Sequence, residues 1–353
     1  MWKRRMQMKK QIVTVLAATL ALSMVGCGGS SSSSAGTESA SSTAETAAAS
    51  SAASSSAAEE TTEAAGDTAV GVILKTSSSE YWGYVTAGCE AAAADLGVTV
   101  DIVGPPSETS YDEQNSEIEN YVSSGKYDAL VIAPLQPDSI ETVLGDPGMP
   151  VIFVDTDADY SLKTQYVGTG NEQAAYEAGK FALENAAEKE NVVIIAGVQG
   201  NTTSEQRQAG FEKALSEAGI EPKAIQNADW VTDKATEKME NIITTLNNDV
   251  DIVLCGNDDM ASGVSKALKQ AGIEDCYIMG FDGIQSGIEN IVAGDVSATA
   301  AQSPYQMGYQ SIENAVKAAQ GETIDEVVDT GCEIITADNA DEYLTTLKEM
   351  LGE

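Results

Sequence analysis

The segment DIVLCGNDDMASGVSKALKQA, residues 251–271, predicts the fold class of this chain. Its apolar start, Asp251 to Cys255, has the length of a buried strand, and Met260 to Ala271 places apolar residues at helical spacing. The polar residues Asn257 to Asp259 lie between the two, and Gly272 follows as a helix terminator. A strand that leads directly into a helix is the repeating unit of α/β proteins with parallel sheets.

The same pattern recurs on both sides of this segment. Further short apolar strands are predicted at Val70 to Leu74, Val98 to Val103, Ala129 to Ala133, Val151 to Val154, Val192 to Ala196 and Tyr277 to Phe281. Helices are predicted between them at Tyr81 to Leu96, Glu172 to Asn185 and Ser204 to Ala218, with Gly97, Gly125 and Gly219 near helix ends. From Thr68 onward the chain is long enough for two domains with a core each.

In open α/β sheets a ligand binds beyond the carboxyl ends of the strands, so the residues that follow each strand are the candidate site. These residues are polar or aromatic after the first strand (Thr76 to Trp82) and after the fourth (Asp155 to Asp157). We expect Asn257 and Asp282 to contact a ligand, since each directly follows a strand. For Asp258 or Asp259, capping of the next helix is the preferred interpretation.

The amino-terminal residues 1–27 have the pattern of an export signal: cations first (Lys3 to Lys10), then the apolar run Ile12 to Val25, then Gly26-Cys27. The residues before Cys27 resemble a bacterial lipobox, which implies a lipoprotein signal peptide and a lipid on Cys27. The alternative is an ordinary secretory signal with a chance cysteine. Residues 28–67 are almost entirely Ser, Ala, Thr, Gly and Glu, which predicts a disordered tether.

Composition excludes several classes of function. The chain has 19 Lys and Arg against 55 Asp and Glu. Removal of the signal leaves 14 against 55, a net charge of −41, so nucleic acid and anionic membrane surfaces are poor partners for the folded part. Histidine is absent from the sequence, and Cys89, Cys255, Cys276 and Cys332 have no C-x-x-C spacing. We therefore expect no structural zinc, no cofactor and no enzymatic nucleophile with its base.

A calcium loop is a weaker alternative at residues 155–166. Asp155, Asp157 and Asp159 alternate as calcium ligands do, but Tyr160 and Tyr166 stand where such a loop needs glycine and glutamate. A solvated loop with Asp155 turned inward is the preferred interpretation, and we expect no metal.

Three motifs carry a resemblance to a known family: Gly256-Asn257-Asp258-Asp259-Met260-Ala261, Gly280-Phe281-Asp282-Gly283 and Ala300-Ala301-Gln302-Ser303-Pro304. They resemble the ribose- and galactose-type periplasmic sugar-binding proteins, solute receptors of ABC importers, and the similarity runs from Thr68 to Thr336. It implies the type I periplasmic binding protein fold, two similar Rossmann-like α/β lobes with parallel sheets and a three-strand hinge. The first lobe would be 68–169 plus 303–331, the second 170–302 plus 332–353. Hinges are expected near Thr169 to Asn171, Gln302 to Pro304 and Thr330 to Cys332.

The resemblance also implies the ligand-binding residues: Ser79, Tyr81, Trp82, Asp155, Thr156, Arg207, Trp230, Asn257, Asp282 and Gln302. Such a set suits a neutral polyol, because carboxylates and amide oxygens accept hydrogen bonds from hydroxyls while Arg207 donates. Trp82 and Trp230 offer flat faces for the C–H side of a sugar ring. Two alternatives remain: the tryptophans pack a core, and Arg207 pairs with Glu205 or Glu212 on a surface.

The chain departs from the ribose-type pattern at two positions. Thr156 replaces an arginine and Ala133 replaces an asparagine, and both changes remove polar reach from the first lobe. Ribose is therefore doubtful, and a different pentose, a hexose, a polyol or a furanosyl signal molecule is as good a candidate. The expected protein is not an enzyme. The signal pattern and the resemblance together imply a monomeric, lipid-anchored receptor on the outer face of the cytoplasmic membrane that delivers its ligand to an ABC permease. The alternative is a sensory receptor that presents the ligand to a chemoreceptor or sensor kinase.

Overall fold

The computed structural model describes residues 68–352. The predicted signal peptide, the lipidation site Cys27 and the tether 28–67 lie outside this range, so these three predictions are not addressed by the structure. Across the described range, no helix has the length and apolar character that crossing a membrane requires.

Strands and helices alternate along the described residues. The strands are β1 (Ala69–Ile73), β2 (Thr99–Val103), β3 (Ala129–Ile132), β4 (Val151–Val154), β5 (Gln165–Gly168), β6 (Val192–Ala196), β7 (Ala224–Asn227), β8 (Ile252–Cys255), β9 (Tyr277–Asp282), β10 (Ala298–Ala301), β11 (Val327–Asp329) and β12 (Glu333–Thr336). The helices are α1 (Glu80–Leu96), α2 (Tyr111–Ser124), α3 (Ile140–Leu144), α4 (Asn171–Asn185), α5 (Thr202–Glu217), α6 (Thr232–Thr245), α7 (Asp258–Ala271), α8 (Gln285–Ala293), α9 (Pro304–Ala319) and α10 (Ala340–Leu351).

The strands form two six-stranded sheets of the same design. The first has the order β2-β1-β3-β4-β5-β11 and is parallel throughout. The second has the order β7-β6-β8-β9-β10-β12 and is parallel except for the antiparallel edge strand β12. Each order reverses beside its first strand, which places a ligand crevice at the carboxyl ends of the central strands. Two α/β lobes with mostly parallel sheets are therefore confirmed.

The chain passes from one sheet to the other three times. It crosses between β5 and α4 at residues 169–170, between β10 and α9 at 302–303, and between β11 and β12 at 330–332. These crossings coincide with the three positions expected to act as hinges. Their movement stays a prediction.

Glycines let the helices that cover each sheet approach closely. A Cβ on Gly308 of α9 would lie 2.1 Å from the carbonyl oxygen of Val85 in α1, and one on Gly88 would lie 2.0 Å from that of Tyr305. In the second lobe a Cβ on Gly210 of α5 would lie 2.3 Å from the carbonyl oxygen of Glu172. Small residues at these contacts bring the helices near enough for their side chains to seal the sheet faces.

The predicted elements agree with the structure to within one or two residues at their ends. Gly97, Gly125 and Gly272 terminate helices in the left-handed conformation, as expected. The short strands β5, β7, β10, β11 and β12 were not predicted. β11 and β12 are edge strands, and β7 is also an edge strand that carries Gln226 and Asn227, so their apolar patterns are weak.

The interpretation of Asp258 as a helix cap is wrong. Asn257 is the cap, since its Oδ1 accepts from Met260 N at 2.9 Å. Asp258 is buried, and its carboxylate accepts from the backbone N–H groups of Gly283 and Ile284 and from the Thr299 hydroxyl. Its role is to hold the loop that follows β9.

Candidate functional site

A cavity lies where the carboxyl edges of the two sheets face each other. The first lobe contributes Lys75, Ser79, Tyr81, Trp82, Glu108 and Asp155, and the second contributes Thr203, Arg207, Trp230, Asn257 and Asp282. Eight of the ten predicted ligand-binding residues are among them.

Arg207 is held rigidly in the floor of the cavity. Only 3% of this residue of α5 is exposed. Its Nη1 donates to Gly256 O at 2.7 Å and to Asp282 Oδ1 at 3.1 Å, and its Nε donates to Asn171 Oδ1 at 2.8 Å. The idea of a surface pair with Glu205 or Glu212 is therefore wrong. The Nη2 group has no partner among residues 68–352, so it remains available to a ligand.

The guanidinium of Arg207 also lies against aromatic rings. Its Cζ atom is 3.9 Å from the ring centroid of Phe281 and 5.6 Å from that of Trp230. These contacts favour the cation and fix the plane of its donors.

Asp155 is the corresponding fixed group in the first lobe. Its Oδ1 accepts from the Tyr81 hydroxyl at 2.8 Å, and its Oδ2 lies 3.2 Å from Lys75 Nζ. Burial disfavours the carboxylate, but the positive charges of Lys75 and Arg207 outweigh burial and lower the pKa of Asp155 below its usual value. Asp155 therefore stays ionised in the cavity wall.

Lys75 and Glu108 were missed by sequence reasoning. Lys75 follows β1 by two residues, and Glu108 lies in the loop after β2, so the rule of strand-end residues could have found both. Glu108 Oε1 accepts from Trp82 Nε1 at 2.7 Å, and burial raises the pKa of Glu108. These two residues supply charged side chains to the first-lobe wall of the cavity, where Ala133 and Thr156 were expected to leave fewer polar groups.

Trp230 lies across two glycines at strand ends. A Cβ on Gly197 would come within 2.1 Å of the indole, and one on Gly256 within 3.0 Å. Trp230 itself has φ +64°, a conformation that side chains rarely adopt. Trp230 and Trp82 both line the cavity, so neither serves only as core packing.

Positive φ angles recur at the cavity. Asp155 has φ +65° and Asp282 has φ +112°, in addition to Trp230. Non-glycine residues in this region carry backbone strain that the surrounding structure must hold, and such residues cluster at ligand sites. At these three positions the strained backbone directs the carboxylates of Asp155 and Asp282 and the indole of Trp230 toward the same cavity.

Thr156 and Gln302 lie behind the cavity wall instead of lining it. The Thr156 hydroxyl donates to Asp155 Oδ2 at 2.7 Å and lies 2.8 Å from Thr203 Oγ1 of the other lobe. Gln302 Nε2 donates to Asp282 Oδ1 at 2.6 Å. Both side chains are buried and position a carboxylate that does face the cavity.

The free polar groups of the cavity include both donors and acceptors. Arg207 Nη2, Asn257 Nδ2, Glu108 Oε2 and Asp282 Oδ2 have no hydrogen-bond partner within residues 68–352. Burial raises the pKa of Asp282 well above its usual value despite the neighbouring Arg207. Within residues 68–352, no group of three or more carboxylate or cysteine side chains could hold a metal ion.

Comparison with known proteins agrees with this architecture. A family model described as a periplasmic binding protein domain matches residues 70–323. The chain is 31% identical over 260 residues to the D-allose-binding periplasmic protein of Escherichia coli, a match that covers 70% of this chain and 83% of that protein. It is 27% identical over 263 residues to the ribose import binding protein RbsB of the same organism, covering 74% and 87% of the two chains.

Solved structures show the same likeness. A carbohydrate transporter solute-binding protein from Agrobacterium radiobacter, in complex with D-arabinose, superposes with a TM-score of 0.74 at 29% identity. The match covers 80% of this chain and 98% of that one. These relatives are solute-binding proteins and not enzymes, in agreement with the expectation drawn from composition.

Proposed function

Since this chain belongs to the periplasmic binding protein domain family, we propose that it captures a neutral sugar or sugar-like polyol between its two lobes and delivers it to an ABC importer. The observation that carries the proposal is the shared cavity: Lys75, Asp155 and Glu108 face Arg207 and Asp282 from the opposite lobe. A ligand that contacts both sets stabilises the arrangement with the lobes together.

The chemistry of the wall supports a polyol. Each sugar hydroxyl donates one hydrogen bond and accepts others, and the unpartnered wall groups supply both kinds. The Trp82 and Trp230 rings offer apolar faces to the C–H surfaces of a ring. Relatives described as binding D-allose, ribose and D-arabinose support the sugar class.

The ligand residues proposed are those that line the cavity, with Thr156 and Gln302 as supports for Asp155 and Asp282. The identity of the sugar depends on which of its hydroxyls can pair with these groups. A missing or inverted hydroxyl leaves a buried group of the cavity without a hydrogen-bond partner, at a cost of about 1 to 3 kcal/mol. Lys75 and Glu108 add charged groups to that match in the first lobe.

We also propose that a lipid on Cys27 anchors the protein and that it acts as a monomer beside its permease. If residues 28–67 behave as a flexible coil, their root-mean-square reach is roughly 35 Å, enough to hold the receptor near its importer. A sensory receptor of the same fold would bind the same ligand. A deletion of this receptor separates the two, since loss of sugar uptake indicates import and loss of a behavioural response without loss of uptake indicates sensing.

Tryptophan fluorescence of the purified protein, titrated with pentoses, hexoses and polyols, tests ligand class. A true ligand changes the emission saturably, and Trp230→Phe mutes that change. Asp282→Asn removes the carboxyl partner of Arg207 and should weaken binding by at least about 30-fold, whereas the exposed Asp233→Asn should leave it unchanged. A response to an amino acid or peptide and to no sugar would contradict the proposal.

A further inference from the structure

A second contact between the lobes lies at the rim, outside the ligand cavity. Glu80, the first residue of α1 in the first lobe, accepts hydrogen bonds from two groups of Ser286 in the second lobe. Ser286 Oγ donates to Glu80 Oε2 at 2.7 Å, and Ser286 N donates to Glu80 Oε1 at 3.3 Å. Neither residue lines the cavity.

Tyr84, one turn along the same helix, completes this contact. Its hydroxyl donates to Glu80 Oε1 at 2.5 Å and accepts from Gln285 N at 3.0 Å. Burial and the hydrogen bond to Glu80 raise the pKa of Tyr84, so it remains a neutral phenol that can donate. The side chains of one lobe thus bind the first two N–H groups of α8 in the other.

These N–H groups have no partner inside their own helix, because the first turn of any α-helix leaves its N–H groups free. A carboxylate at this end also interacts favourably with the helix dipole. Since Glu80 and Tyr84 belong to one lobe and Gln285 and Ser286 to the other, the gain exists only while the lobes are together. When the lobes separate, hydrogen bonds to water replace these contacts.

The segment 283–286, which includes the two residues bound by Glu80 and Tyr84, is also held on its own lobe by other groups. Asp258 accepts from Gly283 N at 2.8 Å and from Ile284 N at 3.1 Å. The Tyr343 hydroxyl of α10 donates to Gly283 O at 3.1 Å. Asp282, whose carboxylate faces the cavity, directly precedes this loop. Ligand contact and rim contact are therefore joined through one rigid segment.

Ile284 adds an apolar part to the rim contact. It is 1% exposed and belongs to a buried cluster built mainly from first-lobe residues such as Tyr84 and Val85. The rim contact therefore combines charge-assisted hydrogen bonds with a buried aliphatic side chain.

We infer that Glu80 and Tyr84 form a closure latch, which captures Gln285 and Ser286 and sets the balance between the open and closed lobes without touching the ligand. The inference rests on the proposed function, the capture of a ligand between the two lobes. Because the latch stabilises only the closed state, it tightens binding of any ligand chiefly by slowing dissociation.

Affinity and rates test the latch first. Glu80→Ala and Tyr84→Phe should each weaken sugar binding roughly fivefold to tenfold, with faster dissociation and little change in association. The saturated fluorescence should stay that of the wild type, since the cavity is intact. Glu90→Ala, an exposed glutamate of the same helix, is the matched control and should leave affinity unchanged.

A double-mutant cycle separates the latch from a general loss of structure. Glu80→Ala and Ser286→Ala should be non-additive in affinity, because each removes the same contact. Additive effects on affinity would overturn the latch.

Hydrogen–deuterium exchange tests the latch without any sugar. In wild-type protein the amides of Gln285 and Ser286 should exchange more slowly than in Glu80→Ala, and small-angle scattering should show the variant to be more expanded. Unchanged exchange and size would overturn the latch. If the variant opens but no sugar binds the wild type, the latch stands and the proposed sugar function fails.

Discussion

At the scale of single residues, the site depends on groups that are fixed before any ligand arrives. Arg207 contacts Asn171, Gly256, Asp282 and the rings of Phe281 and Trp230, all in its own lobe. Fixed donors lose little entropy on binding, so preorganisation favours affinity. The same rigidity makes small changes nearby costly.

Gly197→Ala should disable the cavity through Trp230. The added Cβ would come within 2.1 Å of the indole and must push it aside. We expect sugar affinity to fall by at least about tenfold, measured by calorimetric titration. Gly83→Ala is the control, since nothing lies within 4 Å of its Cβ and an exposed helical alanine should stabilise the protein by up to about 1 kcal/mol. Equal binding by both variants would contradict this role of Gly197.

Tyr81→Phe should destabilise the protein through Asp155. It removes the hydrogen bond to Oδ1 and leaves a buried carboxylate oxygen without that donor. The expected loss in the free energy of unfolding is about 1 to 3 kcal/mol, measured by urea denaturation. Tyr305→Phe removes a hydroxyl with no partner within residues 68–352 and should change stability by less than about 0.5 kcal/mol. Similar losses in the two variants would show that the hydroxyl of Tyr81 does not support Asp155.

At the scale of elements, helices and strands were predictable where their apolar pattern is strong. Residues 251–271 form β8 and α7 almost as the sequence indicates, because a buried strand and an amphipathic helix each repeat an apolar spacing over several residues. β10, with the sequence ATAA, has no such pattern and is recognised as a strand only by its pairing with β9 and β12. Local signals also missed the C-terminal helix α10, which packs against α8.

Gly308→Ala should loosen the packing of α9 on α1. Its Cβ would lie 2.1 Å from Val85 O, and backbone atoms cannot yield as a flexible side chain does. We expect the helices to separate slightly and the free energy of unfolding to fall by about 1 to 3 kcal/mol, measured by chemical denaturation. The higher helix propensity of alanine opposes this by up to about 1 kcal/mol. Gly83→Ala again serves as the control, and a stabilised Gly308→Ala variant would contradict the close approach.

At the scale of the whole molecule, buried carboxylates in an acidic chain dominate the response to pH. Burial raises the pKa of Asp258 to about 7 and that of Asp259 to about 6. For both groups the folded state holds the proton more tightly than the unfolded chain, whose carboxyl pKa is near 3.8. The stability linked to them is therefore complete below that value and is lost as the pH rises through about 6 and about 7.

We expect the free energy of unfolding to increase as the pH falls from 8 to 5, measured by urea denaturation at each pH. The raised pKa of Asp282 and of Glu108 acts in the same direction, whereas the lowered pKa of Asp155 opposes it only below about pH 4. Asp259→Asn should flatten the change between pH 7 and 5, and the exposed Asp233→Asn should not. Greatest stability at pH 8 would contradict the prediction.

The amino-acid sequence by itself determined the α/β class, the strand-end positions of Asp155, Asn257 and Asp282, and the acidic character of the chain, because these depend on local spacing and composition. Only the tertiary structure decided that Thr156 and Gln302 stay behind the cavity wall and that Glu80 meets Ser286. The last pair is 206 residues apart. The physical reason is that periodicity reports which face of an element is buried, whereas the pairing of side chains across two lobes depends on where the chain crosses between the sheets.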